Sequence, residues 1–175
     1  MLKTRASILA ATIFSLSFAG ATPVDAAQGV ARCGGNNFIG GPSNTEMQIT
    51  RLALRNFNAM QPITINRLVV YNAPGLIIFD SDVSGLPAFT NGILGPANSI
   101  LGPHQSSVLN SENFLPFLPQ TDRPLQTFVT WSSMGPALPL GVNLAVVVRQ
   151  RDPVTGAQLE ERTRAGGDCE QIMRP

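Results

Sequence analysis

Arg51-Leu-Ala-Leu-Arg-Asn-Phe-Asn-Ala-Met-Gln-Pro-Ile-Thr-Ile-Asn-Arg-Leu-Val-Val-Tyr71 is the stretch that decides the fold. Side chains alternate along a strand, so Leu52 and Leu54 share one face while Arg51, Ala53 and Arg55 share the other. The second half is β-branched, with Ile63, Thr64, Ile65, Val69 and Val70. Its apolar parity slips between Ile65 and Leu68, which places a bulge near Asn66-Arg67. The intervening Asn-Phe-Asn-Ala-Met-Gln-Pro segment is rich in turn formers, and Pro62, which cannot donate to a ladder, marks a strand start. The stretch reads as two strands folded back on each other. A two-stranded ribbon is marginal alone, so the rest of the chain must supply strands to cover it.

Downstream residues supply them. Asn72-Ala-Pro-Gly75 suits a type II turn with proline then glycine at its centre. Leu76 to Phe79 follows as a short buried or edge strand, and Ser106 to Leu109 as another. In the 125–131 strand, Leu125, Thr127, Val129 and Trp131 alternate with Gln126, Phe128 and Thr130. Residues 140–149 form the most apolar strand, with Val142, Leu144, Val146 and Val148 on one face. Arg151-Asp-Pro-Val-Thr-Gly156 reverses the chain, and 157–164 returns as a polar strand whose charges mark a solvated edge. Residues 83–104 are the least regular part. They hold a duplication, Ile93-Leu-Gly-Pro-Ala-Asn-Ser99 followed by Ile100-Leu-Gly-Pro-His-Gln-Ser106. Its Gly-Pro steps forbid a helix and fit two similar strand-turn units. The long loop is also a candidate binding edge. Between 110 and 124, Phe114, Leu115, Phe117 and Leu118 are apolar anchors that plug one end of the core. No stretch shows a helical period, and 16 glycines and 14 prolines punctuate the chain. The expected fold is all-β: an antiparallel two-sheet sandwich, immunoglobulin-like, with about seven to eight strands.

The ends give an address. A cationic Met1-Leu-Lys-Thr-Arg5 precedes an uncharged apolar run, and Val24-Asp25-Ala26 sits before Ala27 with short side chains where a signal peptidase needs them. The run is rich in alanine and serine and shorter than the ~20 strongly apolar residues of a membrane span. Residues 1–26 therefore read as a cleaved signal peptide, 27–45 as an irregular lead-in with a short strand near Phe38-Ile39, and 46–175 as a single sandwich domain. Processing removes Lys3, the only lysine, together with Arg5 and Asp25, and leaves a net charge of about zero. Such a surface excludes a nucleic-acid footprint and a polybasic membrane patch. No later segment is long and apolar enough to span a bilayer. The two cysteines, Cys33 and Cys169, stand near the two ends of the mature chain. In an exported protein they read as one disulfide closing a very long loop, worth up to roughly 5 kcal/mol on the chain-entropy account.

Three places could carry chemistry. Asp80-Ser-Asp82-Val-Ser84-Gly85 matches the opening of a calcium loop, with Asp80, Asp82 and Ser84 as oxygen ligands. The twelfth position, however, is Asn91 rather than a bidentate glutamate, and a strand precedes the loop. His104 is the only histidine, with Ser106 and Ser107 close by. A serine hydrolase needs nucleophile, imidazole and carboxylate together, and no Gly-x-Ser-x-Gly elbow is present. Blue copper would need two histidines. Glu160, Glu161 and Asp168 are the remaining carboxylates for glycoside chemistry. Adjacent residues of a strand face opposite sides, so Glu160 and Glu161 do not cooperate. Arg149 and Arg151 with Arg162 and Arg164 form a cross-strand charge cluster. No catalytic constellation is visible. The function expected is therefore an exported, periplasmic or extracellular, non-enzymatic module for binding or envelope assembly with a protein partner, and no catalytic residue or cofactor is assigned. The alternatives are a secreted hydrolase using His104 and a calcium-stabilised structural domain.

Overall fold

A computed structural model describes residues 26–40 and 44–174, so the signal segment lies outside the described residues except for Ala26. Eleven strands run through them: β1 (Gln28–Gly35), β2 (Asn37–Gly40), β3 (Glu46–Arg55), β4 (Ile63–Tyr71), β5 (Ile77–Asp80), β6 (Ile100–Leu101), β7 (Ser106–Asn110), β8 (Leu125–Ser132), β9 (Gly141–Arg151), β10 (Gln158–Asp168) and β11 (Glu170–Arg174). A single helical turn, α1 (Ser81–Ser84), follows β5. The strands form two antiparallel sheets. One has the order β11-β1-β8-β4-β5, with β6 also on β4; the other has β10-β9-β3-β2, with β7 also on β3.

The strands of the 51–71 stretch both form, but they do not pair with each other. β3 lies in the second sheet beside β9 and β4 in the first beside β8. The 56–62 connection is thus a crossover between sheets rather than a hairpin loop. The expected bulge is present, since the β4–β8 register shifts between Ile65 and Arg67. The sandwich places β8 between β1 and β4 in one sheet and β9 between β3 and β10 in the other.

The stretch read as an irregular lead-in carries β1 and β2. The inward residues of β1 are Gly29, Ala31 and Cys33, which give no apolar alternation to detect. Small side chains are required there: a Cβ on Gly29 would stand 2.8 Å from the Trp131 ring, and Trp131 is fully buried in the core. Around it pack Leu52, Leu54, Ile63, Ile65, Leu68, Val129 and Val142 from both sheets. At Asn36 the chain crosses from one sheet to the other, and at Cys169 it crosses back. Cys33 and Cys169 are disulfide-bonded across 136 residues, with their Cα atoms 4.9 Å apart.

β2 and β7 share one edge of β3, β2 lying along Glu46–Ile49 and β7 along Arg51–Arg55. Thr50 lies in the gap, and its amide donates to Ser111 Oγ at 2.9 Å, so no buried donor is left over. The duplicated heptapeptides make two similar turns. Asn98 donates its amide to the Gly95 carbonyl at 3.1 Å, and Gln105 donates its own to that of Gly102 at 3.2 Å. Leu94 and Leu101 both enter the core. The 72–76 turn is closed by the Gly75 amide, which donates to the Asn72 carbonyl, and Gly75 takes φ +87°. Leu115 packs with Val70 and Leu125 at the far end, and Phe114 meets Phe79 edge-on at 4.7 Å. β10 is exposed at every position, the solvated edge that its charges imply.

Candidate functional site

Three connections meet at one end of the sandwich: 56–62 between β3 and β4, 102–105 between β6 and β7, and 133–140 between β8 and β9. The register puts them there, because Arg55 pairs with both Ser106 and Gly141, and Thr64 pairs with both Ser132 and Ile100. Ala27, just before β1, belongs to the same end, donating its amide to the Gly135 carbonyl.

Two buried asparagines hold the loops together. Asn56 Nδ2 donates to the carbonyls of Gln61 (2.8 Å), Leu101 (3.0 Å) and Gly102 (3.1 Å). Asn56 Oδ1 accepts from the backbone amide of Asn58 (2.9 Å) and from its Nδ2 (2.8 Å). Asn58 Oδ1 in turn accepts from the Leu138 amide at 2.7 Å, and Asn58 Nδ2 donates to the Leu138 carbonyl at 3.3 Å. Backbone bonds complete the stitching: Asn56 donates to the Gln105 carbonyl and His104 to that of Asn58.

Beside the exposed His104 and Gln105, these loops present large apolar side chains to solvent. Phe57 is 55% exposed, Met60 85%, Met134 91% and Leu138 57%. Beside them a cleft of about 570 Å³ is lined by Arg55, Phe57, Leu138, Pro139, Asn143 and Gln171 among others. Asp168 lies in its wall, hydrogen-bonded by Asn143. The three loops contain no aspartate, glutamate, lysine or arginine. Exposed apolar side chains grouped on loops of this kind are a common feature of contact surfaces.

Of the residues singled out from sequence, His104 and Ser106 belong to this end, Asp168 lines the adjoining cleft, and the others fall elsewhere. His104 is exposed, at φ +57°. Ser107 is buried and donates its hydroxyl to Asn91 Oδ1 at 2.7 Å, so it is not paired with the imidazole. Asp80 caps α1, and with Asp82 it shares the guanidinium of Arg67: Arg67 Nε lies 2.9 Å from Asp80 and 3.1 Å from Asp82. Arg67 thus supplies the positive charge that a calcium ion would bring. Its hydrogen bond lowers the Asp80 pKa, opposed by partial burial and aided by the Asp82 amide. Ser84 ends the helical turn, exposed.

The charge cluster forms with different members from those expected. Glu161, opposite Arg149 in register, accepts from Arg149 at 2.7 Å and from Arg51 at 2.9 Å, while Arg149 also holds Glu112. Arg162 and Arg164 are not part of it, because the side chains facing outward with Arg149 are those of Glu161 and Thr163. The network spans the cross-strand pair Ile49–Val147, both buried although they lie on the outer face of the sheet. The hydrogen bond from Arg149 lowers the Glu161 pKa, against partial burial and with help from Arg51. For Arg149, burial opposes the charge, but the bonds to Glu161 and Glu112 outweigh it and raise its pKa.

From the sequence, 56–62 reads only as a turn-rich connection. The signal that marks it is an inverted pattern, in which the polar Asn56 and Asn58 are buried while Phe57 between them is exposed. Comparison of the chain with protein-family models, with curated proteins and with solved structures finds no match.

Proposed function

We propose that this chain is an exported, non-enzymatic β-sandwich that acts by binding a partner at the cell envelope or outside the cell through the loop end built on Asn56 and Asn58. The observation that carries this reading is the exposure of Phe57, Met60, Met134 and Leu138 on loops that Asn56 and Asn58 tie together. Large apolar side chains left in water by well-ordered loops are a cost to the isolated molecule, and a contact removes that cost. The single disulfide supports an oxidising destination.

A photo-crosslinking residue placed at Met134 tests the proposal, with the same residue at Val154 as the control. Val154 is also 91% exposed but lies in the β9–β10 turn at the opposite end. In intact envelopes, adducts should form from position 134 and not from 154. Equal labelling from both, or none from either, would remove the assignment.

A further inference from the structure

We propose that Asn91 is a deamidation site that the fold holds closed, and that its conversion to aspartate or isoaspartate uncovers the free edge of β7. The proposal is independent of the loop end and its partner.

The sequence makes the site. Asn91-Gly92 is the only Asn-Gly step in the chain. Glycine has no Cβ to screen its amide nitrogen from the preceding side chain. The reaction needs only base and water. The Gly92 amide proton passes to solvent base, the nitrogen bonds to Asn91 Cγ, and Nδ2 leaves as ammonia. Water then opens the resulting succinimide at either carbonyl, giving aspartate or isoaspartate. Both residues are exposed, and nothing stands within 4 Å of the place a Gly92 Cβ would take. Solvent therefore reaches the step.

The fold withholds both reacting groups. The Gly92 amide donates to the Phe89 carbonyl at 2.9 Å across a turn, and Gly92 takes φ +69°. The Asn91 side chain is held on β7. Its Nδ2 donates to the Ser106 carbonyl at 2.7 Å, and its Oδ1 accepts from the buried Ser107 hydroxyl at 2.7 Å. Cyclisation must break these bonds first. The rate then follows local opening of the segment rather than the exposure of Asn91.

The same bonds show what deamidation would undo. Among the described strands β7 pairs with β3 alone. Its other edge is covered at residues 90 and 91. The Thr90 amide donates to the Val108 carbonyl at 2.7 Å, and Asn91 Nδ2 takes the Ser106 carbonyl. Covering an edge in this way keeps it from pairing with another chain. A carboxylate has no hydrogen to give, so either product withdraws the donor from Ser106 and sets a negative charge beside its carbonyl. Isoaspartate also lengthens the main chain by one methylene between the Thr90 and Gly92 contacts. Phe89 and Leu94 flank the step and are buried in the core, so a segment drawn off β7 loosens them too. The product is a chain with an open strand edge, shaped to pair with a second copy.

The test incubates the purified protein, disulfide intact, at mildly alkaline pH, both folded and in guanidinium chloride. Peptide mapping follows Asn91 by mass gain and by isoaspartate content. Deamidation should run roughly tenfold or more slower in the folded protein. Ser107→Ala should speed it several-fold in the folded protein and leave the unfolded rate unchanged. Equal rates folded and unfolded, no reaction in denaturant, or an unchanged Ser107→Ala rate would each overturn the clamped site. For the consequence, Asn91→Asp and wild type deamidated in denaturant and refolded are compared with wild type refolded at once. Both should show a lower urea midpoint, and both should associate in sedimentation velocity at concentrations where the control does not. An unchanged midpoint or unchanged sedimentation would overturn the edge argument. If Asn91→Asp does not fold, the deamidated wild type decides it by the same two measurements.

Discussion

Replacing Asn56 by alanine should cost far more than its place in a surface connection suggests. The residue is 1% exposed, and its two amide hydrogens and one oxygen serve three carbonyls and two donors of Asn58. A buried polar group left without its partner costs about 1–3 kcal/mol. At least three groups lose their partner when this side chain is removed. Water can reach some of them near the end of the sandwich, so the expected loss is about 3 kcal/mol, a large share of the 5–15 kcal/mol typical of a domain. Urea denaturation with the disulfide intact measures it as a shift in midpoint at unchanged slope. Asn56→Asp sharpens the test. A carboxylate facing three carbonyls cannot donate, so at neutral pH this variant should be less stable than the alanine one. Its folded-state pKa is pushed up by that environment, so the folded form takes up a proton before the unfolded one and regains an O–H donor. The stability of Asn56→Asp relative to wild type should therefore rise as pH falls from neutrality. A loss below about 1 kcal/mol for Asn56→Ala, or an aspartate variant that tracks alanine at every pH, would refute the claim that this side chain holds the loops.

Removing the disulfide with Cys33→Ala and Cys169→Ala should lower stability by up to roughly 5 kcal/mol, since the closed loop spans 136 residues; a change near zero in urea would show that the clip constrains little. Gly29→Ala should cost about 1–3 kcal/mol and shift the emission of the sole tryptophan, because the new methyl group would meet the Trp131 ring at 2.8 Å; unchanged fluorescence and midpoint would contradict the packing. Glu161 has a lowered folded-state pKa, so its contribution is complete above the ordinary glutamate range and is lost as pH falls through the folded value. Glu161→Gln should accordingly flatten part of the acid limb of the stability profile, and an identical limb would count against the network. Millimolar calcium should leave the melting temperature unchanged while Arg67 occupies Asp80 and Asp82, and a clear rise would restore the calcium reading.

Strands whose inner faces are built from large side chains are legible in the sequence. Leu125, Val129 and Trp131 announce β8, and the slip between Ile65 and Leu68 announces the bulge in β4. β1 is not legible, because the space beneath it is already filled by Trp131 and its own inward positions must be nearly empty. Pairing is not legible either. Alternation says which face of a strand is buried, but not which neighbour lies along its edge, so β3 and β4 read as a hairpin although they sit in opposite sheets. The disulfide needs only the count and position of two cysteines. Local spacing around Asp80 and Asp82 does not reveal Arg67, which reaches them from the neighbouring strand β4.

The loop end is hidden for a more instructive reason. A reader of hydrophobic pattern assigns apolar residues to the inside, and over Asn56-Phe57-Asn58 that rule is reversed. The end of a sandwich can be closed by apolar plugs, and Leu115 does this at the opposite end. Closing it with asparagines instead requires every polar atom to find a partner, which fixes the geometry of all three connections at once. It also frees Phe57, Met60, Met134 and Leu138 from any duty in the core. A reversal that leaves stability dependent on a few hydrogen bonds, and apolar surface in water, is a local conflict of the kind expected where a chain is shaped for contact rather than for folding alone. Stability and binding should then separate under mutation. Changes at Asn56 should damage both together, whereas serine at Met60 or Met134 should remove binding from a protein as stable as the wild type.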